Sequence, residues 1–346
     1  MIVTVRTKRI QNNLNAMRHA IGKPLVFMCK ANAYGHGLCD VATRVKADVY
    51  GVATEKEGIL LRSCVTAPIY VMAPRVSGLP EICAGGLIPL VGDKEYLRAV
   101  IESRSIRNCH IKVDSGMHRL GFSDPKECYQ AASLLAESGV SVDGVCTHYK
   151  DPSDENVIAQ NRRFDACISA VFNSLAAKGS FRRPFTHVTY SGAKYARDYD
   201  MLRVGLAAYG YSEENVNLPL KKAMEIFSEI ICVKRIKKGE SLGYGSGFIV
   251  GRDLCACTVL GGYADGIDRR DVGRNVLCNG SVGKIAAVCM DTFELVTDRL
   301  DLSVGDRVII MSEEIDADYI SGWRGTISYE VLVGYGSPRA EYVYDG

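Results

Sequence analysis

Lys30 directly follows an apolar run at residues 24–29 and opens the segment Lys30-Ala31-Asn32-Ala33-Tyr34-Gly35-His36-Gly37. An amine at the end of a buried strand is partly desolvated, so its pKa falls and it can attack a carbonyl in Schiff-base chemistry. Taken alone, the same residue could be a strand-end lysine whose head reaches water. A second set of residues suits a phosphate group. Ser191-Gly192-Ala193 follows another apolar run and would open a helix, offering unpaired N–H groups and the positive end of the helix dipole. Gly205 and Leu206, after the next run, would add further amides. A serine-glycine pair can equally be a simple N-cap. No metal site is expected: the closest cysteines, Cys255 and Cys257, have one residue between them, and no CxxC pair occurs.

These groups need elements to position them. Eight short apolar runs read as strands, at residues 24–29, 48–53, 68–72, 87–91, 109–113, 144–148, 185–189 and 203–209. Between them lie segments with apolar residues at helical spacing, among them 37–46, 126–138 and 156–178. Eight alternations fit a (β/α)8 barrel, whose active sites lie at the C-terminal mouth. A doubly wound open sheet satisfies the same alternation, and periodicity does not separate the two. After about Leu218 glycines punctuate short β-branched runs, with residues 286–290 and 307–311 reading as strands and little helical periodicity. The expectation is an α/β chain with a barrel over residues 1–220 and a smaller, mostly β domain over 221–346, which the first few residues could join.

Composition narrows the class. The 346 residues are 47% hydrophobic and 24% charged, ordinary for a globular chain and too apolar for disorder. The 42 basic against 40 acidic residues give a net charge of +2, without a basic block for nucleic acid. No apolar run approaches the ~20 residues of a membrane span. The start at Met1 lacks the layout of a signal peptide, so a cytoplasmic protein without a leader is expected. In that setting the thirteen cysteines, an odd number, are expected to be reduced thiols packed as small hydrophobes.

The octapeptide that begins at Lys30 resembles the pyridoxal 5'-phosphate (PLP) motif of alanine racemases. The resemblance extends along the chain through Ile111-Lys112-Val113-Asp114-Ser115-Gly116-Met117-His118-Arg119-Leu120-Gly121-Phe122, Leu260-Gly261-Gly262-Tyr263-Ala264-Asp265-Gly266, Val288-Cys289-Met290-Asp291 and Thr326-Ile327-Ser328-Tyr329-Glu330. Five motifs in the family's order imply a TIM-type PLP barrel followed by a β domain.

The resemblance also implies roles. Lys30 would hold PLP covalently and act as one catalytic base. Tyr34, Ser191, Gly205, Leu206 and Tyr329 would contact the cofactor phosphate, and Arg203 would face its pyridine nitrogen. A cation there disfavours ring protonation and weakens the electron sink, which suits an enzyme that only returns a proton. Tyr244 matches the second base, supplied by the partner in a homodimer. Its ordinary pKa of about 10 needs lowering. His148 would do so through a hydrogen bond while contacting Arg203, although a strand-end histidine can also be structural. His187 would sit behind the site. Arg119 and the Met290 amide would take the substrate carboxylate, with Asp291 supporting the Met290 loop. Lys112 matches a position often carbamylated in the family, where the anion fixes the arginine. Tyr263 would narrow the entrance.

The reaction implied is interconversion of L- and D-alanine, with D-alanine destined for peptidoglycan. Tyr190 stands where relatives usually have asparagine, and the ending Gly336-Ser337-Pro338-Arg339-Ala340-Glu341-Tyr342 is an imperfect version of the family's. The alternatives are a racemase for serine or a broader range of amino acids, and a non-catalytic PLP-binding carrier. Relatives that prefer serine tend to lose the tyrosine found at position 329. Carriers lack the β domain and the second base. A decarboxylase of the same fold group would carry a carboxylate in place of Arg203.

Overall fold

The computed structural model describes residues 1–345 apart from 151–152, 181, 190–198, 212–217, 245–247 and 299–300. The chain opens with β1 (Ile2–Val5), followed by the helix Thr7–Ile21. Eight parallel strands then close into a barrel: β2 (Leu25–Met28), β3 (Val49–Val52), β4 (Ile69–Val71), β5 (Ile88–Val91), β6 (Asn108–Lys112), β7 (Ser141–Cys146), β8 (Phe185–Thr189) and β9 (Met201–Val204). Closure is made by β9 returning to β2, with Val26 opposite Arg203. Every residue of β2, β3 and β9 is buried, as expected for parallel strands with helices outside and packed side chains within. The barrel is therefore the correct one of the two α/β arrangements.

The remaining strands build a second sheet. These are β10 (Met224–Ile236), β13 (Leu254–Leu260), β14 (Asn275–Cys278), β15 (Ser281–Val288), β16 (Thr292–Thr297), β17 (Arg307–Met311) and β18 (Glu341–Tyr344); β11 (Ser241–Leu242) and β12 (Phe248–Ile249) form a separate hairpin. The order is β13-β16-β15-β14-β17-β10-β1-β18, and β10 also pairs with β13, so six strands close on themselves. β1 lies antiparallel to β10 and parallel to β18, which stitches both chain ends into this sheet. Asp345 finishes the stitch: its Oδ1 accepts from Thr7 Oγ1 at 2.7 Å and from the Thr7 amide, capping a helix that has no acidic residue in its own first turn.

Two expectations need correction. The run at 203–209 is not one strand: β9 stops at Val204, and a 3-10 turn, Leu206–Tyr209, follows Gly205. The second domain also contains two short helices, Ala317–Arg324 and Ser328–Gly334, where little helix was expected. Each is too short for its periodicity to stand out, and Gly322, Gly325 and Gly334 break the pattern. The cysteines are free, and most are buried.

Candidate active site

Lys30 emerges at the C-terminal end of β2 into a turn of unusual hand. Ala31, Asn32, Ala33 and Tyr34 have φ of 52°, 54°, 53° and 53°, a left-handed run that costs roughly 1–2 kcal/mol per residue. Such a run persists only where its surroundings over-determine it. His36 Nδ1 donates to Tyr34 O at 2.9 Å, and Asn32 Oδ1 accepts from the Leu38 amide at 2.8 Å. Glu57 accepts from the Ala31 amide at 2.7 Å and from the Ala53 amide at 2.8 Å, tying the turn to the end of β3. From β18, Tyr342 Oη donates to Gly35 O at 3.0 Å and Tyr344 Oη to His36 O at 3.2 Å. A Cβ at Gly35 would strike the Leu332 carbonyl oxygen, so only glycine lets the turn seat against the helix Ser328–Gly334. The β domain of the same chain thus holds the lysine's turn.

The reversed hand sends Tyr34 back into the mouth between β2 and β9. Its ring lies 5.8 Å from that of Tyr329 and 4.9 Å from that of Tyr209. Its Oη approaches Gly205 so closely that a Cβ there would collide with it. Tyr34, Tyr329 and Gly205 are therefore brought together in one corner, with buried Leu206 next along the chain. Ser191 and Tyr190 lie outside the described residues.

Positive charge concentrates beside this corner. Burial lowers the pKa of Lys30, and Arg119 and Arg203 lower it further, while Glu57 opposes them. Arg203 is buried: its Nη1 donates to His187 Nδ1 at 2.9 Å and to His187 O at 3.0 Å, and its Nη2 to Thr147 O. Burial brings Lys112 down to about 7, against the attraction of Cys146 and Asp114 and with help from Arg203 and Arg119. His148 is held far below the usual imidazole range, first by burial and then by Arg203, Lys112, Arg119 and Lys30. It is a neutral ring. Lys112, Arg119, Met117 and His148 bound one narrow cavity.

Arg119 reaches that cavity because the chain doubles back after β6. Asp114 Oδ1 accepts from the Gly116 and His118 amides, and the Phe122 amide returns to Lys112 O at 2.9 Å. Gly121, at φ 128°, packs onto the backbone of Val113 and Asp114 where a Cβ could not fit. Lys112 and Arg119, seven residues apart, are brought together by this loop.

The β domain presents a second group. Tyr244, Tyr263 and Met290 are exposed within one chain, Tyr244 by 87%. The loop before Met290 lies on the Tyr263 loop: Tyr263 N donates to Cys289 O and Ala264 N to Met290 O. Arg339 clamps both, bonding Asp291 Oδ1 at 2.7 Å and pairing with Asp265 at 3.4 Å. The imperfect chain ending therefore supplies the cation that supports Asp291. Gly245 and Ser246, beside Tyr244, lie outside the described residues. A cavity of about 640 Å³ borders Tyr263, Arg269, Arg324 and Glu330, on the β domain and away from Lys30.

Several contributors escaped the sequence reading: Glu57, Thr147, His110, Arg339, Tyr342 and Tyr344. Arg339 and Tyr342 stood within the ending motif, and the others carried no local signal. An anionic, carbonyl-bearing cofactor fits what is present. Lys30 supplies an amine of depressed pKa, Arg119 and Arg203 supply cations, and Tyr34, Tyr329 and side-chain-free Gly205 line a cradle. Fold and site together define the class: a barrel enzyme with a mouth suited to such a cofactor.

Comparison with known proteins agrees. The sequence matches the families described as alanine racemase, N-terminal domain, over residues 5–213 and alanine racemase, C-terminal domain, over residues 223–344. An alanine racemase of Lactococcus lactis subsp. lactis (strain IL1403) is 32% identical, covering 95% of this chain and 94% of its own. One of Sorangium cellulosum (strain So ce56) is 34% identical over 95% and 96%. The crystal structure of alanine racemase from E. faecalis superposes with a TM-score of 0.90 at 28% identity, covering 99% of this chain and 98% of that one. That of alanine racemase from Bacillus anthracis with bound L-Ala-P gives 0.89 at 26%, over 100% and 95%. The chain belongs to the alanine racemase family.

Proposed function

We propose that this chain is a PLP-dependent racemase interconverting L- and D-alanine by a two-base mechanism, with the chain up to about residue 220 as the cofactor barrel, apart from β1, and residues 221–346, joined by β1, as the β domain. The observation that carries the reading is Lys30, half-buried at the barrel mouth with its pKa lowered beside Arg119 and Arg203. Bound there, PLP supplies an electron sink that acidifies the Cα–H of an amino acid.

The chain's own residues do the rest. Lys30 holds the cofactor, and its amine, neutral at lower pH than an ordinary lysine's, takes or returns the Cα proton on one face. Tyr34, Tyr329 and the amides at Gly205 and Leu206 hold the phosphate, with Ser191. Arg203, fixed by His187 and the Thr147 carbonyl, would present its cation to the pyridine nitrogen of the bound cofactor and disfavour protonation there. Arg119 and the Met290 amide orient the substrate carboxylate. Tyr244 serves the opposite face. Its exposure in one chain supports delivery to the site of a second copy, in a homodimer, where an N–H of neutral His148 would donate to the phenolate oxygen and so lower its pKa.

The test is chiral chromatography of L-alanine, L-serine and L-lysine incubated with the protein, with and without added PLP. Alanine should be racemised fastest; serine racemised faster than alanine would move the assignment to the serine enzyme, and no racemisation of any would leave a carrier. No helix among the described residues is long and apolar enough to cross a membrane, in keeping with a cytoplasmic enzyme making D-alanine for peptidoglycan.

Lys112 carries a separate expectation. CO2 adds only to a neutral amine, and a lysine at about 7 is roughly half neutral near pH 7, against a few parts in ten thousand for an ordinary one. A carbamate there would place an anion beside Arg119. Holoenzyme equilibrated with 13C-bicarbonate should show a carbamate carbon resonance that is missing from Lys112→Met. The same resonance in both proteins would put the carbamate elsewhere.

A further inference from the structure

We propose that His110 is a positioning residue for Arg203, acting through His187 along a hydrogen-bonded relay across the barrel interior. The inference rests on the proposed role of Arg203 beside the cofactor, and it assigns a function to a buried histidine that the catalytic scheme leaves unused.

The relay draws on three strands and passes over a fourth. Arg203 lies on β9, His187 on β8 and His110 on β6, with β7 between the two histidines. His110 is opposite Gly144 of β7 in the ladder. A Cβ at Gly144 would lie 2.7 Å from the His110 ring, so the missing side chain is what allows the ring to pass over β7. It then meets His187 Nε2 with its own Nδ1 at 2.9 Å. Tyr70 packs against both rings, at 4.3 and 5.4 Å, and blocks the rotations that would part them. All three members of the relay are buried.

Its polarity is dictated from one end. A guanidinium can only donate, so His187 Nδ1 accepts from Arg203 Nη1. The single proton of a neutral His187 then sits on Nε2 and donates to His110 Nδ1, which leaves the His110 proton on its own Nε2. Protonating either ring would set two donors against each other. Burial first, then the charge of Arg203, push His187 well below the usual range, and burial brings His110 to about 4 despite Asp143 nearby. Both rings stay neutral across the physiological range.

Without an acceptor at position 110, the buried Nε2–H of His187 is left unpaired, at a cost of about 1–3 kcal/mol. Its nearest escape is to move the proton to Nδ1. That presents a donor to Arg203, and the guanidinium loses the side-chain contact that orients it. His110 therefore fixes the tautomer on which the placement of Arg203 depends.

The test compares His110→Leu, which keeps bulk without an acceptor, with His110→Gln, whose side-chain oxygen can accept from His187. The six histidines of the PLP-loaded enzyme are labelled with 15N, and their tautomers are read from long-range 1H–15N couplings. His187 is expected as the Nε2–H tautomer in the wild type and in His110→Gln, and as Nδ1–H or a mixture in His110→Leu. The visible band of the bound cofactor should shift in the Leu variant alone. Its kcat should fall about 10–100-fold with KM little changed, the scale seen when the hydrogen-bond partner of a ligating residue is lost.

An unchanged His187 tautomer and an unchanged cofactor band in His110→Leu overturn the proposal. So does equal damage from Gln and Leu, because that would mark packing rather than hydrogen bonding. If the Leu variant does not fold, Gly144→Ala displaces the same ring and is judged by the same tautomer and band. Tautomers are read without turnover. A wild-type protein lacking racemase activity would therefore sink the functional reading and leave the relay itself to be judged separately.

Discussion

Lys30→Ala is expected to abolish the yellow, borohydride-reducible cofactor linkage and racemisation together, because one amine does both jobs. General acid–base catalysis alone contributes about 10²–10⁴-fold, and covalent anchoring is lost with it, so activity should fall by at least about four orders of magnitude. Misfolding would be a poor explanation for such a loss. Lys30 is half-buried beside Arg119 and Arg203, both of which disfavour its charge. Removing it relieves like-charge repulsion, so cofactor-free Lys30→Ala should melt no lower than the cofactor-free wild type. Absorbance spectroscopy, borohydride reduction with peptide mapping and a thermal melt check the three parts. Yellow protein reducible at another lysine would remove Lys30 from its role.

The parts of the site that could be read from the sequence are local in the chain. Lys30 follows a continuous apolar strand, so spacing sufficed to put it at a strand end, whereas Lys112 and Arg119 entered through one family motif, seven residues apart across the turn that follows β6. What spacing could not supply is contact between distant segments. The ring of His110 reaches His187 only because Gly144 intervenes, and that register exists only once β6, β7 and β8 are paired. The left-handed turn after Lys30 was hidden for the same reason. Ala-Asn-Ala-Tyr carries no strong local preference for positive φ apart from Asn32, and its conformation is held in part by Glu57 and by Tyr342 and Tyr344, the last two more than 300 residues away. Alternation of strands and helices left the barrel and the open sheet level. The tie is broken physically by the pairing of β9 with β2, a long-range contact that periodicity does not encode. The helices Ala317–Arg324 and Ser328–Gly334 were missed because each spans about two turns and is bordered or interrupted by glycine.

The largest gain of function to be expected comes from mixing two dead proteins. Within one chain Lys30 is half-buried at the barrel mouth, whereas Tyr244 of the β domain is 87% exposed. A two-base site needs both, and a homodimer in which each Tyr244 enters the partner's barrel mouth supplies them. Lys30→Ala and Tyr244→Phe homodimers should each be nearly inactive. In a heterodimer of the two, one site combines both altered residues and the other combines Lys30 with Tyr244, both intact. Such a heterodimer should show about half the wild-type activity per dimer, since one of its two symmetric sites is whole. Were Lys30 and Tyr244 to meet within a single chain, every site would carry one defect and mixing would restore nothing. Differently tagged chains, exchanged under mild denaturant and purified through both tags, isolate the heterodimer for assay. If that doubly tagged species forms and remains inactive, the shared site is excluded.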